Sequence, residues 1–170
     1  MEMIEKDVMN EYNFVGILER QAESLVVFKL LFGLEYQDII VLSSKTNGGY
    51  DDGGYKNTCF LIQKAHETPT VDTYLKNEFP VHNYDYLMYA VANRSLDLTI
   101  DILGRETVEK QVKEYSRLRK VAQDVCSKEA VFPCSSDGTF QRAKSRKSCY
   151  AVDNGCGYRC VNRVVGLQAV

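Results

Sequence analysis

The chain has 170 residues, 45% of them hydrophobic and 26% charged, with eleven glycines and three prolines. That mixture describes a folded globular chain of about one domain and excludes a disordered tail, a collagen or a low-complexity linker. With 21 Lys/Arg against 23 Asp/Glu the net charge is −2, so no global basic field exists to draw in nucleic acid.

The first residues read Met-Glu-Met-Ile-Glu-Lys-Asp-Val-Met-Asn-Glu, and their acids interrupt any signal-like apolar stretch. No run of about 18 uncharged apolar residues follows, so no membrane-spanning helix is expected. Asn13–Leu18 is a short apolar run with β-branched residues and reads as a buried strand. Ala22–Phe32 follows as a helix apolar on nearly every side apart from Glu23, Ser24 and Lys29, hence a core helix, with Gly33 as its stop. Asp38–Leu42 reads as a second buried strand. A strand, a crossover helix and another strand make a βαβ unit and therefore a parallel sheet. Thr58–Ile62 is the best remaining candidate for a third strand.

Ser43–Tyr55 is a polar loop with four of the eleven glycines. From Pro69 the chain turns helical, with Thr68 as a cap, Pro69 at the first helical position, and Val71, Leu75 and Phe79 at four-residue spacing. Tyr84–Leu103 reads as a long helix with Leu87, Val91, Leu96, Ile100 and Leu103 near one face, ended by Gly104. Val108, Val112, Tyr115, Leu118, Val121 and Val125 then mark an amphipathic helix. Beyond Cys126 no periodicity is evident. The expected organisation is an α/β portion over 13–126 and a cysteine-rich irregular tail over 127–170.

Charge is uneven. Residues 1–60 hold five Lys/Arg against ten Asp/Glu, whereas residues 141–170 hold six basic residues against Asp153 alone. The basic stretch Gln141–Lys147 is short and lacks the interleaved aromatics of a nucleic-acid arm, so a folded-back basic extension is the expected reading.

The glycine loop Ser43–Tyr55 follows the carboxyl end of a predicted parallel strand, where open α/β sheets bind ligands. Its backbone amides could approach an anion, with Lys45 or Lys56 supplying charge, although a plain surface loop is the competing reading. It is not a Walker A loop, since Gly-x-x-x-x-Gly-Lys-Ser/Thr is absent. Asp51-Asp52 lacks a spaced third carboxylate and reads as a solvated turn, so no metal is expected there. His66 and His82 read as exposed loop residues without a nucleophile at a telling distance. Asn93-Arg94-Ser95 is a glycosylation sequon inside a predicted helix, which favours its being unused.

Six cysteines are unevenly placed: Cys59 stands apart, and Cys126, Cys134, Cys149, Cys156 and Cys160 crowd the tail. No Cys-x-x-Cys pair or nearby histidine supports zinc, so a disulfide-bonded lobe is expected. Cys59 is either a sixth partner or a free core thiol, and six cysteines allow fifteen pairings among which spacing does not choose.

Phe14-Val-Gly-Ile-Leu-Glu-Arg20 followed by Glu23-Ser-Leu-Val-Val-Phe-Lys-Leu-Leu31 resembles the later part of Golgi carbohydrate sulfotransferases. The galactose 3-O-sulfotransferases and, more distantly, the heparan sulfate 2-O-sulfotransferases are the nearest in pattern. Pro69–Leu75 and Tyr84–Asn93 look like those enzymes' next helices, so the resemblance spans about residues 13–126. It implies a partial P-loop-like parallel sheet and transfer of a sulfuryl group from 3′-phosphoadenosine 5′-phosphosulfate (PAPS) to a carbohydrate, glycolipid or glycoprotein hydroxyl, with 3′,5′-ADP as product. It brings Leu18 near the adenine and nominates Lys45, Asn47, Gly48 and Gly49 for the 3′-phosphate. The family's 5′-phosphosulfate loop and usual base belong upstream of Asn13. The resemblance therefore implies a carboxyl-terminal portion, inactive in isolation, from a longer Golgi or secretory-pathway protein that could carry a membrane anchor. Two readings from other classes stand beside it: a non-catalytic interaction module with a disulfide-stapled lobe, and a zinc-stabilised domain.

Overall fold

The computed structural model describes residues 11–42, 49–51, 58–63, 68–129, 134–135, 137–140 and 157–167. It is mostly helical. The elements are α1 (Gln21–Phe32), α2 (Tyr36–Ile39), β1 (Gly49–Asp51), β2 (Phe60–Ile62), α3 (Pro69–Asn77), α4 (Phe79–His82), α5 (Tyr84–Leu103), α6 (Arg105–Cys126) and α7 (Tyr158–Gly166), with 3-10 turns at Leu18–Arg20 and Ser127–Glu129. They form two compact units, the first from Met1–Glu35 and His66–Ser116, the second from Tyr36–Ala65 and Arg117–Val170. Among the described residues no helix is long and apolar enough to cross a membrane.

Among the described residues the expected parallel sheet is not there. β1 and β2 pair antiparallel, with Tyr50 opposite Leu61, and both expected strands of the βαβ unit take other forms. Asn13–Leu18 is an irregular segment that ends in the 3-10 turn. Its backbone is satisfied by a side chain and not by a ladder: the Ile17 amide donates to Ser24 Oγ at 2.8 Å, and the Ser24 hydroxyl donates back to the Ile17 carbonyl at 3.1 Å. A buried hydroxyl with two partners replaces what a neighbouring strand would have supplied. Ser24 is the buried polar residue of α1, and Ser24→Ala leaves the Ile17 amide without its acceptor. We expect that variant to lose about 1–3 kcal/mol in urea unfolding, and more than any serine substitution on the solvent side.

Asp38–Leu42 is likewise not a strand. Residues Tyr36–Ile39 make one helical turn, and the Ile40 amide donates to the Tyr36 carbonyl at 3.0 Å. Ile39, Ile40 and Leu42 are buried while Val41 is exposed. So short a run is compatible with more than one geometry, and here it is a helical turn that ends at Ile39 followed by irregular backbone. The third-strand candidate does contain a strand, Phe60–Ile62, but its pairing is antiparallel and all three of its residues are exposed.

The helices follow their sequence signals more closely. α1 ends at Gly33, which sits at φ 64°, ψ 33° and returns its amide to the Lys29 carbonyl; a left-handed residue there suits glycine. The all-round apolar character of α1 does not mean full enclosure, because Ser24, Val26 and Val27 are buried while Leu31 and Phe32 are exposed. α3 starts with the Thr68 hydroxyl accepting from the Val71 amide at 3.4 Å and Pro69 at the first position. α5 buries Val91, Ala92, Leu96 and Ile100, a stripe of i, i+1, i+5 and i+9 that packs the first unit, and it contacts α1. α6 buries Val108, Tyr115, Leu118, Ala122 and Cys126. Its last two turns turn inward on the small Ala122 and on Cys126, not on Val121 and Val125, and Val125 is exposed.

The tail is not wholly irregular. α7 buries Cys160, Val161 and Val165, leaves Arg159, Asn162 and Arg163 outward, and packs on α2. Two disulfides tie the second unit together: Cys126–Cys160, with both ends buried, and Cys59–Cys134, which is less enclosed. Cys59 is thus a disulfide partner and not a free core thiol. Cys149 and Cys156 lie outside the described residues. The Cys59–Cys134 bond joins β2 to the turn of residues 134–140, where Cys134 bridges Phe140. Gly138 in that turn has φ 83°, which favours glycine, and a Cβ there would stand 2.8 Å from the Tyr50 ring of β1, so a larger residue would have to displace that ring. Asp137 accepts from the Ser135 hydroxyl and the Thr139 amide, which hold its carboxyl below the usual range.

Candidate functional site

The sequence-nominated nucleotide residues are distributed between the two units. Leu18 is in the first, at the 3-10 turn, and is exposed at 80%. Gly49 is in the second, at the start of β1 with φ 108°. Lys45, Asn47 and Gly48, together with Lys56, Asp52 and His66, lie outside the described residues. His82 closes the four-residue helix α4 and is not in a loop. Asn93 of the sequon is on α5, and its side-chain carbonyl accepts from Arg20 at 3.3 Å.

The first unit carries a cleft of about 630 Å³ around Leu18. One wall is the irregular segment from Tyr12 to Glu19, and the other is the first three turns of α5, contributing Asp85, Met88, Tyr89 and Ala92. Local chemistry explains both walls. The Ser24 hydroxyl fixes Ile17 in extended backbone (φ −109°, ψ 122°), which buries Ile17 and throws the next residue, Leu18, outward. Phe14 is held from behind by Phe28 at 5.5 Å between ring centroids, and Phe28 in turn meets Phe32 at 4.6 Å. On the facing wall Asn83 caps α5, its side chain accepting from the Asp85 amide at 2.8 Å. That cap starts the helix where Met88 and Tyr89 face the cleft and Ala92 closes its floor.

Polar contacts lock the walls to each other. The Tyr89 hydroxyl donates to Glu19 Oε2 at 3.2 Å across the cleft. Behind it, Arg20 donates to Glu23 at 2.7 Å and to Asp97 at 2.9 Å, joining the 3-10 turn to α1 and α5. The bond to Glu23, with Asp97 adding to it, raises the Arg20 guanidinium further above its already high value, so its charge is fixed at any working pH. Arg20 is thereby committed to bracing the site and not to binding in it.

The resulting surface is apolar with an acidic edge. Ile17 and Ala92 lie buried at the bottom, while Tyr12, Leu18, Met88 and Tyr89 leave 64%, 80%, 50% and 41% of their surface to solvent. Glu19 and Asp85 are the charged residues among the described lining, and both are carboxylates. A phosphate-bearing nucleotide wants backbone or Lys/Arg donors, and two carboxylates repel it. Among its described residues the cleft beside Leu18 presents no cationic donor to a phosphate. A second aromatic row runs along α3 to α5, Tyr74 to Phe79 at 6.2 Å and Phe79 edge-on to Tyr86 at 5.9 Å, and Tyr74 and Tyr86 remain exposed. Sequence reasoning singled out Leu18 but missed Tyr12, Glu19, Asp85, Met88 and Tyr89. The available signal was the Tyr84–Tyr89 stretch, which carries more exposed aromatic and Met surface than an ordinary helix start. The chain matches no protein-family model, no curated protein and no solved structure.

Proposed function

We propose that this chain is a non-catalytic interaction module: a disulfide-stapled second unit and a first unit that seats an apolar side chain of a partner protein in the Leu18 cleft. The observation that carries this reading is the cleft itself, whose walls leave Leu18, Met88 and two tyrosines exposed around a preformed floor. Aromatic and Met side chains in such a place supply contact area with few strict demands on shape. Fully burying a Leu or Phe from the partner contributes about 1.5–3 kcal/mol, so one or two anchors suffice for a weak, specific contact. Two disulfides in the described chain support residence in an oxidising compartment such as the secretory pathway.

The test uses the whole chain and a capped peptide, Gly-Ser-Phe-Leu-Ser-Gly, followed through the Met88 methyl signal by NMR. Binding should shift that signal, and Leu18→Asp should weaken it about tenfold or more. Leu18 is mostly exposed, so the same variant should keep the parent's helical circular dichroism. A Met88 signal that ignores the peptide at millimolar concentration counts against the module. Sulfuryl transfer is the competing outcome: thermal stabilisation by 3′,5′-ADP that is lost in Lys45→Ala, or transfer of sulfate from PAPS to a galactoside, would replace the interaction reading.

A further inference from the structure

The cleft has a charge as well as a shape. Glu19 contributes a carboxylate from the segment wall and Asp85 another from the helix wall, and the described lining holds no Lys or Arg. Tyr89 donates to Oε2 of Glu19, which leaves Oε1 to a ligand. The Asp85 backbone amide is engaged with Asn83, while its carboxylate makes no ion pair or hydrogen bond among the described residues. It lies in the first turn of α5. Arg20, the basic residue next in sequence to Glu19, is held away by Glu23, Asn93 and Asp97. Tyr12 and Tyr89 add aromatic faces, which attract cations. Two carboxylates around exposed aromatic and aliphatic surface are complementary to a group that is apolar at its centre and cationic at its flanks.

We infer that the cleft selects a partner segment in which Lys or Arg flanks the buried apolar side chain. This rests on the interaction reading above and adds to it the sign of the partner's charge. Each exposed ion pair is worth little alone, but two of them with a cation–π contact make a difference of about tenfold in Kd. Because the carboxylates are exposed, that advantage fades as salt rises from about 0.02 to 0.5 M and the screening length shortens.

Three capped peptides with one core decide it: Gly-Lys-Phe-Leu-Lys-Gly, Gly-Ser-Phe-Leu-Ser-Gly and Gly-Glu-Phe-Leu-Glu-Gly, each titrated against the intact chain. The expected order of affinity is lysine, then serine, then glutamate, with about tenfold between the first two at low salt. Glu19→Gln with Asp85→Asn should bring the lysine and serine peptides to one affinity, and Gln keeps an acceptor for Tyr89. In case that double variant folds poorly, the salt titration of the unaltered chain gives the same answer: only the lysine peptide should weaken. Equal affinity of the lysine and serine peptides at low salt overturns the charge assignment and leaves the docking reading standing. Failure of all three to bind removes both. Sedimentation of the chain alone as a dimer that Leu18→Asp dissociates would give the cleft to a second copy and overturn the partner assigned to it.

Discussion

Replacing Cys126 or Cys160 with serine should lower the stability of the second unit by about 4 kcal/mol, read as a fall in the urea midpoint under non-reducing conditions. The bond closes a sequence separation of 34 residues, for which chain-entropy reasoning gives a stabilisation of that size. Burial adds to the loss, because Cys126 is fully enclosed and Cys160 is 6% exposed, so serine places a hydroxyl where sulfur had none. Breaking Cys59–Cys134 spans 75 residues and is worth a similar amount on the same reasoning, about 4.5 kcal/mol. The two pairs share the chain between Cys126 and Cys134, so the combined loss should differ from the sum of the singles. Equal midpoints for Cys126→Ser and the parent would show that packing of α6 and α7, not the covalent bond, holds these elements together.

Leu96→Ala should be a strongly damaging truncation in the first unit, at about 2–5 kcal/mol. Leu96 is 1% exposed at the centre of the α5 stripe, with Ala92 and Ile100 one turn to either side, and α5 packs on α1. A buried leucine loses both its transfer free energy and the contacts its neighbours made with it, and a helix backbone cannot close the space. Leu98→Ala on the same helix is the control: Leu98 is 42% exposed and should cost a small fraction of that. Urea unfolding of the two variants side by side separates burial from any general loss of helix propensity. Similar losses would mean that the α5 stripe is not the core of this unit.

The helices were legible because their signals are local. Thr68-Pro69 writes a cap and a first turn, Gly33 and Gly104 write stops, and the α5 and α6 stripes repeat within a few residues. Asn13–Leu18 and Asp38–Leu42 are too short to carry a period, and their form depends on side-chain partners that no strand pattern specifies. The Ser24 hydroxyl that takes the Ile17 amide is one such partner. A parallel sheet follows only if both runs are strands, and the antiparallel pairing of β1 and β2 does not supply one. α7 does carry a period, with Cys160, Val161 and Val165 in a buried stripe and Arg159 and Arg163 outward, but it is only nine residues long. The cleft was the least legible feature. Its walls are about seventy residues apart in sequence, and nothing in Glu19 or Tyr89 taken alone announces the hydrogen bond that joins them.

The interleaving of the two disulfides has a consequence for how the chain responds to a protease. Cys59–Cys134 spans every peptide bond from residue 59 to residue 134, and Cys126–Cys160 spans every one from residue 126 to residue 160. A single nick anywhere between residues 59 and 160 therefore releases no fragment, and the cut chain still migrates as one species until a reductant is added. The cleft's helical wall at Asp85–Ala92 lies inside that closed span, whereas its other wall, Tyr12–Glu19, lies outside it. Cleavage after residue 20 can detach one wall of the site outright, while cleavage in the segment before α5 leaves the other wall covalently tethered.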